Sequence, residues 1–356
     1  MAKAYLILEN GSIFEGESFG APVSSTGELV FTTSVVGYIE TLTDPAYYGQ
    51  IVMQTFPMIG NYGIIEEDFE GECCVKGYVV RDWCRTPSNF RSQYDLDTYL
   101  KAKGIPGICG VDTRELTKII RENGVMNAMI AGEVPEDLSG IKGFSITGAV
   151  EALTVKEETV YPAEGEKKFA VAMIDYGARM GMVEALARLG CEVTVYPAGA
   201  SAEAVLAKNP DGVVLTGGPG DPAENTGCIS EIKKLLGKVP LFGAGLGHQM
   251  MALAAGGRTE KLKYGHRGAN QPAKDLKGTR TYITSQNTGY TVIADSLPVG
   301  EVRYINANDQ TCEGIDYPGL KAFSVQFRPD TVISMKKETL VDRFVAMMGG
   351  QNNAAE

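Results

Sequence analysis

Apolar and polar positions follow two different periods along the chain, and the change falls near residue 169. At the start, AYLILENGSIFEGESFG alternates on either side of Asn10-Gly11 and predicts a β-hairpin. ELVFTTSVVGY and QIVMQTF predict further strands, separated by the turn-rich loop LTDPAYYG. TRELTKIIREN spaces Leu116, Ile119 and Ile120 along one helix face, with Thr113 as a candidate N-cap. From about Val134 to Lys168 the pattern is mixed and polar, with Pro135, Pro162 and the run EGEKK. The domains expected are therefore 1–150, a linker over 151–168, a second domain over 169–350, and a tail over 351–356.

Beyond the linker, apolar runs alternate with helical segments. FAVAMID, CEVTVYP, GVVLTGG and VPLFGAG read as strands. MGMVEALARLG, Cys228 to Leu236 and HQMMALAA read as helices. This alternation predicts an α/β domain with a mostly parallel sheet covered on both faces, after a strand-rich first domain. Ligands of such sheets sit beyond the carboxyl ends of the strands. Two glycine-rich stretches fall there, TGGPGDP (216–222) and Gly243 to Gly247. Further on, TYITSQNTGYTVIA and KAFSVQFRPD read as hairpin-like strands.

PLFGAGLGHQMM carries the sharpest signal. A strand, a tight bend and a helix in this order hold a nucleophile out at the sheet edge in many α/β enzymes. Here the bend reads Gly243, Ala244, Gly245, Leu246, Gly247, and none of these side chains can attack a substrate. A dinucleotide loop is the competing reading, but the third glycine of G-x-G-x-x-G comes one residue early. TGGPGDP has two readings: backbone N–H groups turned toward an anion or oxyanion, or a tight turn stiffened by prolines. The two histidines are His248, expected as a packed or capping residue, and His266, expected in a loop. They lie too far apart in sequence to suggest a metal site, and no metal is expected.

Composition narrows the class. The net charge of −11, without a basic block, argues against nucleic acid or an anionic membrane as partner. The seven cysteines include no C-x-x-C, so neither a disulfide framework nor a zinc site is expected, and Cys191, Cys228 and Cys312 read as buried small hydrophobes. No secretory h-region opens the chain, and a reducing cytoplasm fits best.

The longer motifs match a family. GELVFTTSVVGYIETLTDPAYYGQIV, FPMIGNYG, GVDTRELTKIIRENGVMNAMI, FGAGLGHQMMALAAGG, KLKYGHRGANQP, SQNTGY and SVQFRPD, in this order, resemble the small subunit of glutamine-dependent carbamoyl phosphate synthetase. The resemblance covers essentially the whole chain and implies a class I glutamine amidotransferase domain in the second half. In that family the second domain hydrolyses glutamine and passes ammonia to a large synthetase subunit. The resemblance thus implies a large-subunit partner carrying ATP and magnesium, with no cofactor in this chain, and a place in pyrimidine and arginine biosynthesis.

The chain departs from the family where the chemistry lies. The family's elbow F-G-I-C-L-G-H-Q has its cysteine where this chain has Gly245. Its Q-x-H-P-E motif has the base and orienting carboxylate where this chain has Arg328 and Asp330. Thr288 replaces the histidine of Q-N-H-G, and Ala46 replaces a serine often found in L-T-D-P-S-Y. Gly218, Gly220, Leu246, Gln249, Asn287, Gly289 and Tyr290 match positions that line the family's glutamine pocket or oxyanion hole. The reading that follows is a small subunit inactive as a glutaminase, supporting an ammonia-using large subunit. Two others stand beside it: a stand-alone pseudoenzyme binding a small carboxylate or glutamine-like ligand, and glutaminase activity by an unusual route. Arg328 either meets such a ligand, pairs with Asp330 or points to solvent.

Overall fold

The computed structural model describes residues 2–178, 181–330, 332 and 339–350. The chain divides into two compact units: 1–147 with 262–268, and 148–261 with 269–356.

The first unit is built on nine strands: β1 (Lys3–Leu8), β2 (Ile13–Gly20), β3 (Ser25–Thr32), β4 (Gln50–Gln54), β5 (Met58–Ile59), β6 (Gly77–Val79), β7 (Asp82–Trp83), β8 (Pro106–Cys109) and β9 (Met126–Ala131). Seven of them close a barrel in the order β1-β2-β8-β6-β4-β3-β9, while β5 and β7 pair separately. Period-two alternation decides which side each residue faces. Leu29 and Phe31 join one core cluster with Ile51 and Met53, while Val30 and Val52 join another. Helices α1 (Tyr38–Thr43), α2 (Leu96–Ala102), α3 (Thr113–Asn123) and α4 (Ser139–Lys142) complete the unit.

Three sequence expectations are corrected here. The strand in ELVFTTSVVGY stops at Thr32, and Gly37, at φ 84°, turns the chain into α1. LTDPAYYG holds the end of α1 and a 3-10 turn over Pro45–Tyr47, whose N-cap is Asp44. Helix α3 spans the predicted segment, but its cap is Asp112, whose carboxylate accepts from the N–H groups of Arg114 and Glu115. Thr113 sits one position inside, because a carboxylate already satisfies the first free donors of the helix. On the solvent side of α3, Arg114, Glu115, Arg121 and Glu122 are exposed, while Leu116 and Ile120 are buried.

The second unit holds a ten-stranded sheet. Its strands are β10 (Thr159–Tyr161), β11 (Phe169–Asp175), β12 (Cys191–Pro197), β13 (Gly212–Leu215), β14 (Leu241–Ala244), β15 (Thr259–Asp275), β16 (Thr281–Val292), β17 (Glu301–Asn306), β18 (Cys312–Tyr317) and β19 (Ala322–Val325). Its helices are α5 (Ala149–Leu153), α6 (Met182–Arg188), α7 (Ala202–Ala207), α8 (Thr226–Leu235), α9 (Leu246–Ala254) and α10 (Leu340–Met348). The parallel core is β12-β11-β13-β14-β19. Val171 and Met173 of β11 pack with α6 and α10, while Ala172 and Ile174 pack with α7, α8 and α9. A central strand covered on both faces is apolar throughout, which is why FAVAMID reads as a continuous run.

KAFSVQFRPD is corrected in its pairing. Its strand, β19, runs parallel to β14 in mid-sheet as well as antiparallel to β18. His266 lies within β15 and is buried, where a loop was expected. Cys191 and Cys312 are buried as expected, whereas Cys228 is half-buried with its thiol against the Ala198 carbonyl.

Candidate functional site

The site is built at the carboxyl ends of β13, β14 and β19. Gly245 is the single residue between β14 and α9, with φ 55° and ψ −115°. A side chain at such angles strains the backbone, and glycine adopts them freely. The bend is tied on both sides. Gly245 N–H donates to the Val325 carbonyl at 2.9 Å, and Gly247 N–H donates to the Thr216 carbonyl at 2.9 Å. The flanking glycines are required by close approach. A Cβ on Gly247 would lie 2.5 Å from the Leu215 carbonyl oxygen, and one on Gly243 would lie 2.9 Å from the Gly247 carbonyl oxygen.

The TGGPGDP loop follows β13 and lies against the start of α9. Thr216 Oγ1 accepts from Tyr176 N–H at 2.8 Å. A Cβ on Gly218 would meet the Tyr176 carbonyl oxygen at 2.2 Å and Leu246 Cδ2 at 2.9 Å. Gly220 is held at φ 87°, and Asp221 caps the 3-10 turn over Pro222–Glu224.

Gln249, one turn into α9, ties three segments together. Its Nε2 lies 3.0 Å from Thr288 Oγ1, 2.8 Å from the Tyr290 carbonyl and 2.8 Å from Gln326 Oε1. Thr288 Oγ1 in turn donates to the Tyr290 carbonyl at 2.9 Å. The amide of Gln249 and the hydroxyl of Thr288 are thus engaged within the protein. Asn287 and Gly289 flank Thr288 on β16. Ala46 lies in the first unit, where its N–H donates to Asp44 Oδ1 at 2.9 Å.

Arg328 follows β19, three residues beyond the carbonyl that holds Gly245. Its N–H donates to the Ser285 carbonyl at 3.0 Å, and its guanidinium pairs with Asp330 at 3.0 Å. The two side chains are 17% and 20% exposed, so the pair is partly shielded from water. Of the fates open to Arg328, the structure realises the pairing with Asp330.

Among the described residues, those of the bend itself, Gly243 to Gly247, carry no side chain that can act as a nucleophile or base. Arginine stays protonated at neutral pH. His248 is fully buried, with Nδ1 2.8 Å from Ser324 Oγ, and burial holds its pKa down at about 3, so the ring is neutral. Its packing is as expected, while the N-cap is Gly245. Burial also pushes the Cys191 thiol up to about 11 and the Cys312 thiol up to about 12, and neither lies at the bend. Gly245 itself offers no thiol at the bend.

Sequence reasoning missed a buried polar group behind the site. Glu313 on β18 is fully buried and accepts from Gln286 Nε2 at 2.7 Å and Asn306 Nδ2 at 3.0 Å. Its carbonyl accepts from Gln326 N–H at 2.9 Å, linking it to the Gln249 cluster. The signal was a lone glutamate between Cys312 and Gly314 in a strand whose other residues are buried.

Comparison with known proteins agrees with the architecture. Residues 6–130 match the family model for the carbamoyl-phosphate synthase small chain, CPSase domain, and residues 172–348 match glutamine amidotransferase class-I. The carbamoyl phosphate synthase small chain of Clostridium perfringens (strain 13 / Type A) is 46% identical over 349 residues, spanning 96% of this chain and 99% of that protein.

The chain belongs to the carbamoyl phosphate synthase small-chain family.

Other members are similarly close. The small chain of Bacillus caldolyticus is 45% identical over 363 residues, covering 99% of each chain. The pyrimidine-specific small chain of Bacillus subtilis (strain 168) is 45% identical over 350 residues, covering 97% of this chain and 96% of that one. Membership in the small-chain family implies a large-chain partner. No helix among the described residues is long and apolar enough to cross a membrane.

Proposed function

We propose that this small chain has lost glutamine hydrolysis and acts as the structural or regulatory partner of a carbamoyl phosphate synthase large chain that draws free ammonia. One observation carries the reading: the strand-to-helix bend keeps its strained geometry, yet Gly245 presents no atom that can attack. Gly245, Arg328 and Asp330 stand where the family's nucleophile, base and orienting carboxylate are expected, and Arg328 and Asp330 satisfy each other. An oxyanion hole formed near Gly218, Gly220 and Leu246 would stabilise charge only after a nucleophile had added. ATP and magnesium belong to the large chain, the compartment is the cytoplasm, and the product serves pyrimidine and arginine biosynthesis.

The reading is tested by supplying the purified pair with either nitrogen source. Carbamoyl phosphate should form from ammonium and not from glutamine. Gly245→Cys alone should restore nothing, because Arg328 cannot take a proton. Gly245→Cys with Arg328→His and Asp330→Glu should give measurable glutamine turnover. A chain that fails to bind any large chain would instead favour the stand-alone pseudoenzyme.

A further inference from the structure

Strand β15 is shared between the two units. Its ends belong to the second unit, while residues 262–268 in its middle belong to the first. The ends are tied down locally. Just before the strand, the Arg258 carbonyl accepts from Ile293 N–H at 2.9 Å, and Arg258 N–H donates to Ser296 Oγ at 2.8 Å. At the far end, Ala273 to Asp275 pair with Tyr304 to Asn306 of β17, and the Pro272 carbonyl accepts from Ala307 N–H at 2.8 Å.

The middle is held just as firmly by the first unit. The Lys263 carbonyl accepts from Val125 N–H at 2.8 Å, and the Arg267 carbonyl accepts from Thr33 N–H at 3.4 Å. Tyr264 packs on the core cluster of Leu29, Ile51 and Leu116, with its ring stacked on Phe31 at 6.3 Å between centroids. Two glycines bracket the deepest part, Gly265 at φ 72° and Gly268 at φ 141°. These angles interrupt the regular pleat and suit glycine alone.

Between the glycines lies a buried cation. Arg267 is 4% exposed, and its Nη1 donates to the Tyr264 carbonyl at 2.8 Å. Its Nε meets no acceptor among the described residues. Burial pushes its pKa down, while Tyr47 and Glu28 of the first unit push it back up. Arginine keeps its proton at neutral pH, so the charge stays in place at a solvation cost. Packing thus holds the segment in, and the hydration of its own guanidinium draws it out.

The far side of the segment leads toward the Gln249 cluster. Three residues beyond Gly268, the Gln271 carbonyl accepts from Thr284 Oγ1 at 2.9 Å. Thr284 Oγ1 accepts from Gln286 Nε2 at 3.2 Å, and the same amide donates to Glu313 at 2.7 Å. The Glu313 carbonyl and Gln326 then join it to Gln249.

We propose that residues 262–268 are a strap that couples the folding of the two units, with Arg267 as its latch, and that its release loosens β16 beside the Gln249 cluster. A chain anchored in one unit at both ends and in the other at its middle cannot leave either without strain on the other.

The test is urea unfolding of the full-length chain, followed in each unit separately. Trp83, the single tryptophan of the chain, is buried against Phe19 in the first unit and reports that unit by fluorescence. Hydrogen exchange of β13, β14 and β16 reports the second. Leu100→Ala, on α2, removes buried contacts of the first unit and should lower the Trp83 midpoint by about 1 M. With the strap latched, the midpoint of the second unit should fall with it. In the Arg267→Met background the same substitution should lower the Trp83 midpoint alone. Arg267→Met by itself should also speed exchange in β16 about tenfold in buffer. Arg267→Lys, which keeps the charge and drops the guanidinium, repeats the comparison should Arg267→Met not fold. A second unit unmoved by Leu100→Ala in the otherwise wild-type chain would overturn the strap. Transitions that still fall together in the Arg267 variants would overturn Arg267 as its latch. Unchanged exchange in β16 would overturn the reach to the Gln249 cluster.

Discussion

The bend before α9 and the segment after β19 both lie at the carboxyl ends of the parallel strands and hold their residues in opposite ways. At the bend the backbone is closely held, and Gly245 carries no side chain. Gly243 and Gly247 allow the close crossing, Val325 and Thr216 accept the bend's N–H groups, and Gly245 keeps φ 55°. After β19 the positions still carry charged groups, but Arg328 and Asp330 are directed at each other. The lesson is that backbone geometry and chemical competence are separate properties. The first is fixed by neighbours throughout the sheet and does not require the second.

The comparison breaks most readily at the bend. Gly247→Ala places a Cβ against the Leu215 backbone, which cannot move without disturbing β13, so unfolding free energy should drop by about 3 kcal/mol. Urea melts measure this, and a loss under about 0.5 kcal/mol would show that the crossing is loose.

Gly245→Ala should lose about 2 kcal/mol, because alanine must adopt the same strained angles. The same measurement applied to Gly243 would separate angle from crowding, since Gly243 is confined by contact with the Gly247 backbone.

His248 sharpens the comparison through pH. Its folded pKa is depressed to about 3 by burial, below the ordinary value of 6.5. The unfolded chain therefore binds the proton first as pH falls. The stabilisation is complete above about pH 6.5 and is lost progressively down to about pH 3, amounting to about 2 kcal/mol between pH 7 and pH 5. His248→Asn should flatten that part of the stability profile, and an unchanged acid limb would show that His248 is not the group responsible.

The smallest effect belongs to the segment after β19. Asp330→Asn removes one partner of a partly exposed ion pair and should alter stability by about 0.5 kcal/mol. A loss of several times that size in a thermal melt would mean that the pair is a structural keystone.

The parts legible in the sequence were those with a local period. FAVAMID and CEVTVYP became strands over the whole predicted span, and TRELTKIIREN became α3. The bend was legible because strand, glycines and helix are contiguous. Pairing was not: nothing in KAFSV tells whether it joins β14 in parallel or a hairpin, because both place the same residues on the same faces. The α7 segment AEAVLA passed unread, since six residues give barely two turns of helical pattern. The Gln249 cluster was half legible. Gln249, Thr288, Tyr290 and Gln326 stand in motifs, but Glu313 joins them only through strands that meet in space.

The central claim is that the bend survives without its chemistry. Its most direct test is glutamate release from glutamine by the unmodified chain, alone and with its large chain turning over on ammonium. The account predicts release no faster than in buffer under both conditions. Glutamate formed in step with carbamoyl phosphate would contradict it.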